Sequence, residues 1–425
     1  MIKRKALAFV AVFGVAIPLA LSGAAGARVG SQTTGISSSE IKVGALVEGQ
    51  FALSDVGTAA RFAEENDKGG VNGRKFTLVA PTYYKQGDTA AALAEAQRLV
   101  QQEGVAAIVP SLTSVPPMQF LTQQKTPLFG WNISPLSWDT PYGFGITGSL
   151  VAPFPKSAPG SLSLPSMLTK QLKDEGNATA PKGQTIAIIG SDDASSKSGT
   201  AQAAKTFKYA GYEVTYAKGA LSLTTPTTDY TPFVQAIMTS NGGQPPNIVY
   251  PVVSFADVQG ISKGLRQAGY TGIIVNPTTY DPRIVKAAES LEVYTQWSIP
   301  EATDNVNIQK VVDAILKHDP NATLSLGTLA GYFSADMFIQ AVKAAGKSPT
   351  GPGIQKAAAK MTYQIKNVIG PTTYPAAYTL GTSCAQLAKS DGTAFSVLVP
   401  YGCYPALNFP SSGNGKPKVI PAPKG

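Results

Sequence analysis

The hexapeptide Gly69-Gly70-Val71-Asn72-Gly73-Arg74 decides the fold through what lies on either side of it. Upstream, Ile41-Lys42-Val43-Gly44-Ala45-Leu46 reads as a buried strand that runs into the polar turn Glu48-Gly49-Gln50. From Ser54 the apolar positions Val56, Ala59, Ala60, Phe62 and Ala63 recur at helical spacing, and Ser54 is placed to cap the first turn. Gly69-Gly70 stops that helix, because glycine reaches the left-handed conformation that closes a helix end. Asn72-Gly73 adds a tight turn into a second strand, Lys75 to Ala80. A second helix is predicted from Asp88, with Leu93, Ala96, Leu99 and Val100 on one face. Val105-Ala106-Ala107-Ile108-Val109 is a third strand, ending at Pro110-Ser111-Leu112-Thr113-Ser114. Strand, helix, strand, helix, strand at this spacing implies right-handed crossovers and a parallel α/β sheet.

Further along, Pro116 to Gln124 reads as a helix, Pro127 to Gly130 as a short strand, and Trp131-Asn132-Ile133-Ser134-Pro135 as the loop at its carboxyl end. Pro153 to Pro165, rich in Pro, Gly and Ser, fits a linker or surface insertion. A second series of alternating strands and helices starts at Thr185-Ile186-Ala187-Ile188-Ile189 and continues through strands at Tyr212–Tyr216, Asn247–Tyr250 and Gly272–Val275. The architecture of the first half is repeated without its sequence. Helices around Ile308–Lys317 and Ala335–Ala345 then bring the chain back to the first unit.

The run from the strand at Ile41 through Glu64-Glu65-Asn66, Gly69 to Arg74 and Ile108-Val109 resembles the type I periplasmic binding proteins. Within them it is most similar to the branched-chain amino acid (Leu/Ile/Val) branch of ABC-importer solute receptors. The similarity runs from Ile41 to about Gly346 and is faint in the last 70 or so residues. It implies two Rossmann-like lobes joined by a multi-strand hinge. Residues 40–148 and 301–352 would form lobe 1, and residues 149–300 and 353–412 lobe 2, with crossings near Gly148 and Pro349–Gly353. Residues 413–425 are expected to be disordered.

At 425 residues the chain exceeds one ordinary domain, and 43% hydrophobic residues suffice for two cores. Charged residues are only 14%, against roughly 25% in an average soluble protein. Uncharged polar residues and glycine take over the surface, as is common in exported proteins. The formal charge is +9, but Lys3, Arg4 and Lys5 supply three of those charges, leaving an excess near +6 that is dispersed. No dense basic patch supports nucleic-acid binding.

Lys3-Arg4-Lys5, the apolar run Ala6 to Leu21 and the small-residue site Ala25-Gly26-Ala27 read as a secretory signal at residues 1–27. An uncleaved membrane anchor is the alternative, although the run is short of the ~20 residues a span needs. Leu21-Ser22-Gly23 would open a lipoprotein box, but Ala24 stands where lipidation requires cysteine. The protein is therefore expected outside the cytoplasm, secreted or periplasmic, and not lipid-anchored. Cys384 and Cys403 are the only cysteines. In an oxidising compartment they form one disulfide closing a small loop; two free buried thiols are the alternative.

Catalysis has little to stand on. The single histidine, His318, ends an amphipathic helix, where it complements the helix dipole. One His builds neither a paired-His metal site nor a triad away from position 318, and no Gly-x-Ser-x-Gly elbow occurs. Gly346-Lys347-Ser348 mimics the end of a phosphate loop, yet it follows a helix and lacks the first glycine. Gly-x-Gly-x-x-Gly is absent after Leu46 and after Ile189. No cofactor and no metal are expected, and the chain is not read as an enzyme.

What remains is binding at the carboxyl ends of the strands. The resemblance implies that Thr113 and Ser114 hold a ligand carboxylate with hydroxyls and helix N-terminal amides; a helix cap without ligand is the alternative. It places Trp131, Asn132 and Ser134 in a second loop of lobe 1, where Trp131 could instead be core. Asp281, after Tyr280, falls near an acid that holds the ligand ammonium, or else begins the next helix. Gln50 occupies the first loop, which lacks the family's Ser-Gly-Pro start and later tyrosine. Asp192-Asp193-Ala194-Ser195-Ser196 replaces the usual Asp-x-Tyr-Gly, leaving Ser195 but no aromatic, and Phe144-Gly145 replaces Phe-Arg. These departures remove aromatic walls and a charge from a leucine or valine pocket. The expected function is an extracytoplasmic, monomeric solute receptor that closes on an amino-acid-like or carboxylate-bearing molecule and presents it to an ABC permease complex. The alternative is a secreted sensing module of the same fold without transport.

Overall fold

The computed structural model describes residues 34–150, 158–410 and 415–424; the signal expected at residues 1–27 lies outside the described residues. The first sheet contains β1 (Glu40–Val47), β2 (Lys75–Val79), β3 (Ala107–Leu112), β4 (Leu128–Gly130) and β5 (Gly143–Gly145). Their order is β2-β1-β3-β4-β5, and every pairing is parallel. The connections carry α1 (Ser54–Asp67), α2 (Thr89–Gln97) and α3 (Met118–Gln123). Side chains alternate across a strand, so each strand feeds two cores. Ile41, Val43, Ala45 and Val47 join the face that also holds Phe62 and Phe338, whereas Leu46 joins Ala92, Ala96, Leu99 and Ile108 on the other.

The glycines at positions 69, 70 and 73 all have positive φ, and Asn72 does too, which is the conformation the hexapeptide was read to need. Asp88 caps α2 by accepting from the amide of Ala91. Ser54 does not cap α1. Leu53, in the left-handed region, precedes the helix, and the Ser54 hydroxyl is buried without a partner. Leu93 is exposed, and Ala92 takes the inward position beside Ala96.

The second sheet has seven strands in the order β15-β14-β11-β10-β9-β7-β8. After β6 (Ala158–Ser161) and α4 (Ser163–Asp174) come β7 (Thr185–Ser191), α5 (Ala194–Tyr209), β8 (Glu213–Leu221), α6 (Thr231–Met238), β9 (Ile248–Val252), α7 (Phe255–Gln267), β10 (Ile273–Asn276) and β11 (Glu292–Thr295). These sheet strands, from β7 to β11, pair in parallel. The chain next forms α8 (Val306–His318), α9 (Leu326–Ala344) and α10 (Gly351–Ala358). Nearly every residue of α9 is buried, as in a helix that is apolar all round, and it packs along α1 and beneath β3 and β4.

The expected crossing to lobe 2 lies near Pro349–Gly353. There Thr350 caps α10 and Pro352 sits in its first turn, and α10 packs on α9. A hairpin of β12 (Thr362–Ile365) and β13 (Ile369–Thr373) follows, and Tyr374 meets Phe144 of β5 edge-to-face at 5.3 Å. The larger sheet regains the chain only at β14 (Cys384–Ser390) and β15 (Phe395–Cys403), both antiparallel additions. Cys384 and Cys403 face each other across that pair and form a disulfide.

Two further segments differ from expectation. The stretch read as a surface insertion supplies β6, which pairs with β16 (Ala406–Phe409). The tail read as disordered supplies β17 (Lys418–Ile420), which pairs with the other edge of β16. Mutual backbone pairing gives these short segments an order that neither has alone.

Candidate functional site

A cavity of about 330 Å³ opens where the carboxyl ends of strands from both sheets converge. From the first sheet come Gln50 after β1, Ser114 after β3, and Trp131 and Ser134 after β4. From the second come Ser191 at the end of β7, Val253 after β9, Thr278 after β10, and Gln296 and Trp297 after β11. The cavity continues into the second unit, between Leu164 and Pro165 of α4, Ala203 and Phe207 of α5, and Tyr250 and Tyr294 of the sheet. Gly160 of β6 and Ala406 of β16 close it there. Pockets for small molecules run from about 300 to 1,000 Å³, so this one fits a small ligand at the lower end of that range.

The walls are set by aromatic packing. Trp131 meets Phe51 at 5.8 Å and Trp297 at 5.4 Å, both edge-to-face. Its indole Nε1 donates to Gln296 Oε1 at 2.9 Å, a hydrogen bond from a first-sheet loop to a second-sheet loop. Burial, with the Tyr294 phenol second, pushes Tyr250 well above the usual phenol pKa. Burial likewise raises Tyr294, against hydrogen bonds with Ser163 and Ser161. Both therefore present neutral phenols. Among the described residues lining the cavity, Asp193 is the single charged one and none is Lys, Arg or His. Asp193 accepts from the Ser196 amide in the first turn of α5.

Thr113 and Ser114 meet a group that the sequence reading passed over as part of a polar turn. Glu48, fully buried at the end of β1, accepts at Oε1 from the Ser114 amide at 2.9 Å, from the Ser114 hydroxyl and from the Thr113 hydroxyl at 3.4 Å. The Gly87 amide reaches the same oxygen at 3.3 Å, and Gln50 Nε2 donates to Oε2 at 3.0 Å. The donors expected to receive a ligand carboxylate are thus spent on a carboxylate of the chain itself.

Gln50, Ser114, Trp131 and Ser134 line the cavity, while Thr113 and Asn132 are buried behind it. Both polar side-chain atoms of Asn132 lack a partner in the chain. Ser195 belongs to α5, but its side chain lies outside the described residues. Tyr280 and Asp281 do not line the cavity: Tyr280 is buried on Phe395 and donates to Glu301 at 2.8 Å, and Asp281 is engaged by Arg283. The loop after β10 reaches the cavity earlier, at Pro277 and Thr278. Glu48, Gln296, Trp297 and the inner chamber were all missed. An acid six residues ahead of α1, in a turn otherwise free of charge, was the available signal for Glu48 alone.

The family described as periplasmic binding protein matches residues 40–394. No curated protein matches the chain. Among solved structures, the chain is similar to the fatty acid ABC transporter substrate-binding protein from Thermomonospora curvata, at 18% identity and a TM-score of 0.66, over 87% of this chain and 94% of that one. A solute-binding protein of an ABC transporter from R. palustris, in complex with 4-hydroxybenzoate, gives 19% identity and a TM-score of 0.63 over 85% and 97%. The branched-chain amino acid transporter substrate binding protein of Streptococcus pneumoniae, in complex with isoleucine, gives 18% and 0.62 over 86% and 100%.

Proposed function

This chain belongs to the periplasmic binding protein family, and from that premise we propose that it is the extracytoplasmic receptor of an ABC importer, taking a small, largely apolar solute. The observation that carries the reading is the cavity, to which strand-end loops of both sheets contribute. Such a site is completed only when the two lobes meet, so binding and closure are one event. The similar receptors support the solute class: a fatty acid, 4-hydroxybenzoate and isoleucine each combine an apolar body with a polar head.

We assign residues 40–146 and 300–378 to lobe 1, and residues 158–295, 384–410 and 415–424 to lobe 2. Three segments then connect the lobes; those near residues 147–150 and 379–383 pair with each other, and the one near residues 296–299 is held to lobe 1. Thr382 donates its amide to Thr147 O at 2.7 Å, Ser149 to Ala377 O at 2.8 Å, and Ser298 to Val368 O at 2.8 Å. Gln50, Ser114, Trp131, Ser134, Thr278 and Gln296 are the contact residues of this reading. The receptor acts as a monomer, and its macromolecular partner is the permease.

The test is mass spectrometry of small molecules released from gently purified protein, followed by uptake of the labelled molecule into cells with and without the gene. One molecule per chain, with uptake lost on deletion, is expected. Retention without any change in uptake would favour the sensing role over transport, and a protein that neither retains nor is stabilised by any solute would overturn the reading.

A further inference from the structure

We propose that the cavity selects an uncharged, elongated apolar molecule bearing an acceptor oxygen, such as an amide, alcohol or ester, and discriminates against carboxylates, with Glu48 as the residue that sets this preference. The inference rests on the cavity being the solute site. It deepens that reading by naming the head group.

Glu48 carries the first part. A carboxylate is an acceptor only, and this one takes five donors, two from Ser114 and one each from Thr113, Gly87 and Gln50. Its neighbours Gln50 and Ser114 line the cavity. A ligand anion arriving there would meet hydroxyls already turned toward Glu48 and a buried negative charge behind them. Like charges at close range in a poorly hydrated site repel strongly.

The lining carries the second part. An anion taken from water needs a counter-charge or a dense set of donors, whereas a neutral carbonyl or hydroxyl needs one or two. Among the described lining residues no cation is present, and the one charge, Asp193, is itself acidic. What the lining does offer is a few unspent neutral groups. Trp297 Nε1, Thr200 Oγ1 and Thr382 Oγ1 belong to side chains 1%, 3% and 7% exposed, all three line the cavity, and none has a partner in the chain. Trp297 Nε1 can only donate, so it calls for an acceptor on the ligand.

The shape carries the third. The cavity begins at Trp131 and Trp297, which belong to the large core cluster, and ends at Leu164, Phe207 and Tyr294 of a separate cluster. A compact polar molecule would leave the far chamber unfilled.

Calorimetry and intrinsic tryptophan fluorescence of the full chain at neutral pH, with octanamide, 1-octanol, octanoate, benzamide and benzoate, test the proposal. Octanamide should bind at least roughly tenfold more tightly than octanoate, the scale expected when a charge must be desolvated without a partner. Glu48→Ala frees the Ser114 and Thr113 donors and should shrink that ratio by roughly tenfold, chiefly by improving octanoate. Glu48→Gln, which keeps the shape and one acceptor oxygen, is the second variant and should shrink the ratio in the same direction. Octanoate or benzoate binding wild type as tightly as the amides would overturn the inference while leaving the solute-receptor reading in place. So would a ratio that neither Glu48 variant alters in a folded protein. If no probe binds wild type or variants, both the inference and the cavity as the solute site fall.

Discussion

Arg61 and Asp336 stand 275 residues apart in the chain, and Arg61 Nε donates to Asp336 Oδ1 at 2.8 Å across the α1–α9 contact. Arg61 also donates to Glu65 Oε2 at 3.1 Å, so one guanidinium satisfies two buried acids. Glu65 has Lys343 as a second cation, whereas the further side-chain donors that reach Asp336, Gln340 among them, carry no charge. Removing one member of a buried ionic cluster leaves the others uncompensated, at a cost of roughly 3–5 kcal/mol. Arg61→Met is expected to lose about that much in urea unfolding. A loss within experimental error would show that water replaces the guanidinium.

The same contact shows what was legible in the sequence. Helix α1 could be read from its own spacing and from the glycines that end it, because both signals are local. Its partner α9 could be read only as a helix, since nothing in Leu326–Ala344 says which helix it meets. The first sheet was legible for the same local reason. β6, β16 and β17 were not, because each is only three or four residues long and exists by pairing with another short segment. Thr113, Ser114 and Trp131 follow the ends of β3 and β4, which local pattern shows, but the donors' acceptor, Glu48, is a tertiary fact. So is the inner chamber, whose walls come from α4, α5 and the C-terminal strands.

Gly331 is a point of close approach between α9 and α1: a methyl group there would overlap the carbonyl oxygen of Ser54. Gly57 stands in the same relation to the carbonyl of Thr328. Helix propensity favours alanine over glycine by about 1 kcal/mol, but separating two packed helices costs typically 1–3 kcal/mol or more. Gly331→Ala should therefore destabilise, with a lowered melting temperature by calorimetry. An unchanged or raised value would mean that the helices are not in contact at this point.

Glu292 at the start of β11 is 2% exposed, and its carboxyl is pushed up to about 7. Burial is the main cause; a hydrogen bond from Gln171 and the charge of Lys389 oppose it, and Glu175 adds to it. The folded protein therefore holds a proton that the unfolded chain releases near the ordinary glutamate value. Stability from this group is complete below that value and is lost as pH rises toward about 7. A shift of this size is on the order of 3 kcal/mol. Glu292→Gln, which keeps the acceptor for Gln171, should match wild type near pH 5 and exceed it near pH 8 in melting temperature. Parallel pH curves for the two proteins would refute the assignment.

The disulfide between Cys384 and Cys403 closes a loop of 19 residues' separation, and Ala406 of the cavity wall follows within three residues of Cys403. A loop of that size contributes roughly 3 kcal/mol by restricting the unfolded chain. Alkylation of unfolded, unreduced protein should label no thiol, and the Cys384→Ala/Cys403→Ala variant should lose stability on that scale. Two labelled thiols in the wild type would contradict the pairing.

The Trp131–Gln296 hydrogen bond makes a last prediction, because it joins loops from the two sheets and both partners are at least nine-tenths buried. Its two halves are not equivalent. Trp131→Phe removes the donor and leaves Gln296 Oε1 beside the cavity, where water can reach it; the expected loss is about 1 kcal/mol plus the smaller ring's packing. Gln296→Leu instead strands the indole Nε1–H between Phe51 and Trp297, where neither ring can accept as a carbonyl does. An unmet buried donor costs roughly 1–3 kcal/mol, and leucine adds no compensating partner. The double variant should then be less destabilised than the sum of the single ones, because the stranded donor has gone as well. Unfolding by urea, followed by the fluorescence of the remaining tryptophans, measures all three. If the two substitutions add without any coupling, the hydrogen bond does not hold the sheets' loops together in solution.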